Sequence, residues 1–201
     1  MPGSAAIPRT LVIACGALAR EIVELIRVND WAALSVTCLP AGWHNTPAKI
    51  PEAVRAKIRT ARAEGFARIL VAYGDCGTGG LLDRVLEEEG VARIEGPHCY
   101  AFFSGVDDFV RRAEDDPTCF YLTDYLARHF DRLIIQGLGI DRHPELLSEY
   151  FGNYTKVVYL AQSEDADLTA RARAAAERLG LAFEHRPTGY GELATFLSKA
   201  S

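Results

Sequence analysis

Three cysteines follow apolar segments that are predicted to be β-strands. Cys15 comes directly after Leu11–Ala14, and Cys76 and Cys99 each end a similar segment. Ligands bind at the carboxyl ends of the strands in open α/β sheets. Three thiols at that edge predict a soft-metal site, with Cys15, Cys76 and Cys99 as ligands. Zinc is the expected metal, and an iron–sulfur cluster is the alternative.

The turn around Cys76 is rich in glycine and precedes a predicted helix. We expect this setting to lower the pKa of the Cys76 thiol, because a helix N-terminus favours the thiolate. Asp75 is predicted to orient a ligand, and Gly77 and Thr78 are predicted to contact a bound cofactor. The turn lacks the Gly-Lys-Ser/Thr ending of a phosphate-binding loop. The alternative interpretation is a tight turn with a packed cysteine.

Two histidines are candidate acid–base groups or fourth metal ligands. His98 directly precedes Cys99, and His44 lies in a loop beside Trp43. An imidazole titrates near neutral pH and binds zinc readily. In a metal-free alternative, Cys76 is the nucleophile and His98 its base. Simpler alternatives are a backbone hydrogen bond for His98 and a solvated loop position for His44.

Strands and helices alternate along the whole chain. This pattern predicts an α/β fold with three layers and a mainly parallel, Rossmann-like sheet, formed by a single domain over residues 1–201. We expect strands at 11–15, 68–73, 133–136 and 156–161 to be parallel in one sheet, because helices connect them. Residues 120–131 are expected to form a helix.

The composition excludes several classes of protein. The chain has 201 residues, of which 49% are hydrophobic and 24% charged, as in ordinary globular proteins. Its net charge of −5 gives no basis for binding nucleic acid or an anionic membrane. It contains no apolar run of about 20 residues and no signal-peptide pattern. We therefore expect a cytoplasmic protein whose five cysteines are reduced.

Six short motifs carry a resemblance to a known family. They are Tyr73-Gly74-Asp75-Cys76-Gly77-Thr78, Gly96-Pro97-His98-Cys99-Tyr100, Tyr121-Leu122-Thr123-Asp124, Phe151-Gly152-Asn153-Tyr154, the Cys15-Gly16 turn and the loop His44-Asn45-Thr46-Pro47. Together they resemble the family catalogued as domain of unknown function 1638. One departure lies near Gly42-Trp43, where the family pattern has a second histidine or a leucine.

The resemblance implies a place in one-carbon metabolism. Members of that family often accompany genes for corrinoid-dependent methyl transfer. The metal site predicted from the cysteines would activate a small-molecule thiol or water, and this activation fits methyl transfer. The resemblance adds a corrinoid protein or methyltransferase as the expected partner, with the corrinoid supplied by that partner. A metal-free cysteine enzyme and a non-catalytic accessory protein of a methyltransferase system are the alternatives.

Overall fold

The computed structural model describes residues 8–200. In chain order, the strands are β1 (Thr10–Cys15), β2 (Leu34–Leu39), β3 (Arg68–Ala72), β4 (Ala92–Arg93), β5 (Cys119–Thr123), β6 (Lys156–Ala161) and β7 (Ala182–Pro187). The α-helices are α1 (Ala19–Val28), α2 (Ile50–Ala63), α3 (Leu81–Glu89), α4 (Cys99–Ser104), α5 (Val106–Asp115), α6 (Asp124–Arg128), α7 (Leu146–Phe151), α8 (Ala166–Leu179) and α9 (Gly191–Ser198). A π-helix covers Asp131–Gln136.

The described chain divides into two compact units. Residues 8–102 and 192–200 form the first, and residues 103–191 form the second. Each unit contains one sheet in which all neighbouring strands are parallel. The α/β fold class and the parallel, Rossmann-like arrangement are therefore confirmed, and the single domain stays a prediction.

The first unit is a four-stranded sheet in the order β2-β1-β3-β4. Helix α1 connects β1 to β2, which lies on one side of β1 in the sheet. Helix α2 connects β2 to β3, which lies on the other side of β1. Because such crossovers are right-handed, the two helices cover opposite faces and make three layers. Side chains at alternate positions of β1, Leu11 and Ile13, pack with Val54 and Ile58 of α2 in one hydrophobic core.

The second unit is a three-stranded sheet in the order β5-β6-β7. Its core contains Leu122, Val157 and Tyr159 from the sheet and Leu168 and Ala172 from α8. Asp165 begins α8 by accepting hydrogen bonds from the backbone amides of the first turn, as an N-cap residue does. None of the helices in residues 8–200 has the length and apolar character that a membrane crossing requires.

The prediction of one sheet containing residues 133–136 and 156–161 is wrong. Residues 133–136 lie in the π-helix, and β6 belongs to the second sheet. The apolar pair Ile134 and Ile135 packs in the core together with Phe130, Leu138 and Ile140, which is a helical spacing. The predicted helix at 120–131 is also partly wrong, because strand β5 precedes the short helix α6.

Candidate functional site

The candidate site lies at the carboxyl edge of the first sheet. Strand β1 has β2 on one side and β3 on the other, and the chain visits them in that order. This reversal is the topological switch point of the sheet, where α/β proteins bind their ligands. Cys15 is the last residue of β1, and Tyr73 to Cys76 directly follow β3. The thiols at 15 and 76 therefore come from the two strands that flank the switch point.

Backbone contacts tie the segment after β3 to the segment after β4. The amides of Asp75 and Cys76 donate to the carbonyls of Gly96 and Pro97, at 3.1 and 2.9 Å. Gly74 permits this approach, because a Cβ on it would lie 3.0 Å from two backbone atoms of His98. The pairing places His98 and Cys99 next to the Cys76 turn.

The Asp75 carboxylate organises the turn that follows it. It accepts hydrogen bonds from the Thr78 hydroxyl at 2.7 Å and from the amides of Gly77, Gly79 and Gly80 at 2.9 to 3.3 Å. Burial alone would raise the pKa of Asp75, but these hydrogen bonds hold it below its usual value. The structure therefore places these three residues, Asp75, Gly77 and Thr78, at the predicted edge of the sheet. Their polar groups form hydrogen bonds with one another. Their predicted roles toward a ligand or cofactor stay predictions.

Burial is the main cause of the raised pKa of each of the three thiols. Burial raises the pKa of Cys15. Burial, followed by the charge of Cys15, raises the pKa of Cys76 to about 11. Burial, followed by the charges of Cys76 and Cys15, raises the pKa of Cys99 well above its usual value. A thiolate at Cys15 would therefore oppose ionisation of Cys76 and Cys99, and a thiolate at Cys76 would oppose ionisation of Cys99.

The expectation of a lowered pKa for Cys76 is wrong. Helix α3 begins only at Leu81, and three amides of the turn before it donate to Asp75 rather than to the thiol. The amides of Gly74 and Cys99 do face the Cys76 sulfur and favour the thiolate, but burial outweighs them. The Cys76 thiol is consequently protonated at neutral pH.

Tyr73 is a member of the site that the sequence did not single out. Its hydroxyl is buried beside the Cys15 sulfur, and among residues 8–200 it has no hydrogen-bond partner of normal geometry. Burial and the charge of Cys15 raise its pKa far above the usual range. Its position directly after a buried strand, before Gly74, was the signal that could have found it. A buried hydroxyl whose hydrogen bonding is incomplete can form a hydrogen bond to a ligand.

The two histidines meet at the same edge. The ring centroids of His44 and His98 are 6.1 Å apart. Burial, and then the nearby His44, lowers the pKa of His98, so its imidazole is neutral at pH 7. The His98 Nδ1 atom is buried and has no hydrogen-bond partner within the described part of the chain. His44 is exposed to solvent.

The side chains do not form a finished metal site as they stand. No three His, Cys, Asp or Glu side chains between residues 8 and 200 are placed to hold one metal ion. The assignment of Cys15, Cys76 and Cys99 as metal ligands therefore stays a prediction. The other two cysteines lie elsewhere: Cys38 is on β2, and Cys119 begins β5 in the second unit.

Asp124 of the second unit has a structural role. Its buried carboxylate accepts hydrogen bonds from the Tyr159 hydroxyl at 2.7 Å, the Gln162 amide at 3.0 Å and the Ser163 hydroxyl at 2.5 Å. Its own amide donates to the Gln162 side chain. This network joins the end of β5 to the end of β6. The motif around Asp124 is therefore explained by the packing of the second sheet.

Comparison with known proteins gives a family and no assigned activity. No curated protein matches the chain. The family model described as "Protein of unknown function (DUF1638)" matches residues 38–197, which include the segments after β2, β3 and β4 that build the site. The chain belongs to the DUF1638 family.

Proposed function

We propose that the carboxyl edge of the first sheet binds a soft metal ion through Cys15, Cys76 and Cys99. The observation that carries the proposal is geometric. Cys15 ends β1, and Cys76 and Cys99 lie in the segments after β3 and β4, which hydrogen-bond to each other at the same edge of the first sheet. Thiolates are the preferred ligands of zinc and of iron–sulfur clusters. Zinc is the first candidate, and an iron–sulfur cluster is the alternative.

Binding requires the thiols to lose protons and draw together. Burial, and the repulsion that would arise between thiolates, now keep them protonated. A cation between them offsets both effects, so their pKa values fall on binding. His98 is the candidate for the fourth position, because its imidazole is neutral and its Nδ1 atom lacks a partner among the described residues. Proton release makes the affinity rise with pH.

The surrounding residues suit activation of a thiol or a water molecule. A bound zinc ion supplies Lewis-acid chemistry that lowers the pKa of a group placed next to it. If His98 is not a ligand, its neutral imidazole is the candidate base for the released proton, and the ring of the exposed His44 lies 6.1 Å from it, centroid to centroid. The Tyr73 hydroxyl lies beside the Cys15 sulfur, where it would donate a hydrogen bond to that ligand or to the substrate. Such activation fits transfer of a methyl group from a partner corrinoid protein to a small-molecule thiol.

A metal-free cysteine enzyme is the second candidate. The neutral His98, in the segment paired with the Cys76 turn, is a suitable general base for a thiol. The raised pKa of Cys76 disfavours this candidate, because little thiolate exists at neutral pH. A non-catalytic accessory protein of a methyltransferase system is the third candidate.

The metal content of the protein tests the proposal. Protein purified without oxygen should contain about one zinc ion, or one iron–sulfur cluster, per chain by elemental analysis. Cys76→Ser should lose most of it, because serine is a poor ligand for soft metals. Cys119→Ser removes a buried thiol of the second unit and is the matched control, which should keep its metal.

Loading with cobalt gives an independent measurement of the ligands. Cobalt occupies tetrahedral zinc sites, and thiolate ligation gives intense near-ultraviolet absorption. This absorption should weaken in each of Cys15→Ser, Cys76→Ser and Cys99→Ser and persist in Cys119→Ser. Full metal retention by folded Cys76→Ser would contradict the proposal. Selective alkylation of Cys76 in metal-free protein at neutral pH would then favour the nucleophile.

A further inference from the structure

A groove on the second unit concentrates positive charge on a chain that is acidic as a whole. Its walls are residues 127–132, at the junction of α6 and the π-helix, and one side of α8. Four arginines line it, and Asp131 is the one carboxylate among the described lining residues. The arginines are Arg128, Arg132, Arg171 and Arg178. We call this feature the arginine groove.

Two of these arginines have no carboxylate partner. Arg178 pairs with Asp131, and Arg171 pairs with Asp167 at 2.8 Å. Within residues 8–200, Arg128 and Arg132 form no ion pair. Arg128 and Arg132 line the same groove as His129, and burial, followed by the charges of Arg132 and Arg128, lowers the pKa of His129. A groove lined by unpaired positive charges attracts an anion.

The shape of the groove fits a small molecule. Its volume is about 400 Å³, which is within the usual range for ligand pockets. Ala174 and Ala175 of α8 line it without filling it, and this leaves space between the arginines. The adjoining π-helix is a rare element that occurs frequently at functional sites.

We propose that the arginine groove binds a small phosphorylated molecule that carries at least two negative charges. Guanidinium groups present paired N–H donors that match phosphate oxygens, and several can surround one diphosphate. The volume of the groove, about 400 Å³, fits a small molecule and argues against nucleic acid as the ligand. This proposal is independent of the metal site in the first unit.

Calorimetric titration with inorganic pyrophosphate tests the proposal. We expect saturable binding at low salt that weakens as sodium chloride is added. Arg132→Gln and Arg128→Gln should each weaken binding about tenfold or more, because each removes a charged donor to the anion. Arg173→Gln is the matched control. It lies on α8, outside the groove, over the ring of Phe183, and should leave the affinity unchanged.

Three outcomes would overturn the proposal. The first is the absence of saturable pyrophosphate binding at low salt. The second is an equal loss of affinity in Arg173→Gln and Arg132→Gln, which would show nonspecific attraction. The third is citrate binding as tightly as pyrophosphate, because this would remove the preference for phosphate. Circular dichroism of each variant confirms that it is folded, and Arg132→Lys should recover only part of the affinity, since lysine lacks the forked donors.

Discussion

Cys76 is held in a backbone conformation that most side chains avoid. Its φ angle of +49° lies in the left-handed region, which costs a residue other than glycine about 1–2 kcal/mol. The hydrogen bond from its amide to Pro97 and the Asp75 network fix the turn in this state. Such strain persists where the surroundings over-determine it, and it is common at ligand sites. The turn therefore positions the Cys76 thiol at the switch point.

The protonation state of Cys76 gives a prediction at the scale of one residue. We expect iodoacetamide to alkylate Cys76 of metal-free protein slowly at neutral pH and faster as the pH rises toward about 11. Only the thiolate reacts, and a raised pKa leaves little thiolate below that value. The rate is measured by mass spectrometry of the Cys76 peptide, with free cysteine, whose pKa is about 8.5, as the control. Equal rates for the two thiols at neutral pH would contradict the prediction.

The candidate residues could be predicted because the position of a residue after a strand is a local property. The sequence located Cys15, Cys76 and Cys99 at one edge, together with their two neighbouring histidines. It could not give the pKa of Cys76, since burial depends on the packing of distant segments around it. It did not single out Tyr73, because the contact between its hydroxyl and the Cys15 sulfur exists only after the sheet has formed.

At the scale of elements, the contact between the segments after β3 and β4 determines the geometry of the site. Gly74→Ala should destabilise the protein by about 1–3 kcal/mol, because the new methyl group meets backbone atoms at 3.0–3.1 Å that cannot rotate away. Gly42→Ala is the control. It has open space and no positive φ, so its effect should be neutral or slightly stabilising, by up to about 1 kcal/mol.

Urea denaturation of both glycine variants measures these effects. The two substitutions are chemically identical and differ only in what surrounds the added methyl group. Gly74→Ala should also lower the metal content per folded chain, because it separates Cys99 from Cys76. A Gly74→Ala variant as stable as the parent would mean that the two segments are not packed as described.

The elements of the second unit show where sequence patterns become ambiguous. The run around Ile134 and Ile135 is short and apolar, and periodicity cannot separate a buried strand from one turn of a buried helix. This run forms the π-helix because Phe130, Leu138 and Ile140 continue its apolar face. Strand β5 was missed because its apolar residues run directly into α6, so that one helical pattern appeared to cover both elements.

At the scale of the whole molecule, the two proposed sites lie in different compact units. The thiols lie in residues 8–102, and the arginine groove lies in residues 127–178. Each unit has its own parallel sheet and its own hydrophobic core. The net charge of the chain does not indicate the local charge at a site, because an overall charge of −5 coexists with a groove lined by four arginines. Each unit therefore carries one of the two proposed sites.

Amide hydrogen exchange, measured with zinc or with pyrophosphate bound, tests whether the two compact units unfold independently of each other. A ligand that binds only the folded state stabilises the unit that holds it, by about 2.7 kcal/mol at one hundred times its Kd. We expect zinc to slow amide exchange in β1 and β3, and pyrophosphate to slow it in α6 and α8. Cys76→Ser should abolish the first effect alone, and Arg132→Gln should weaken the second alone. Equal protection of both units by either ligand would instead show one cooperative domain, as the sequence predicts.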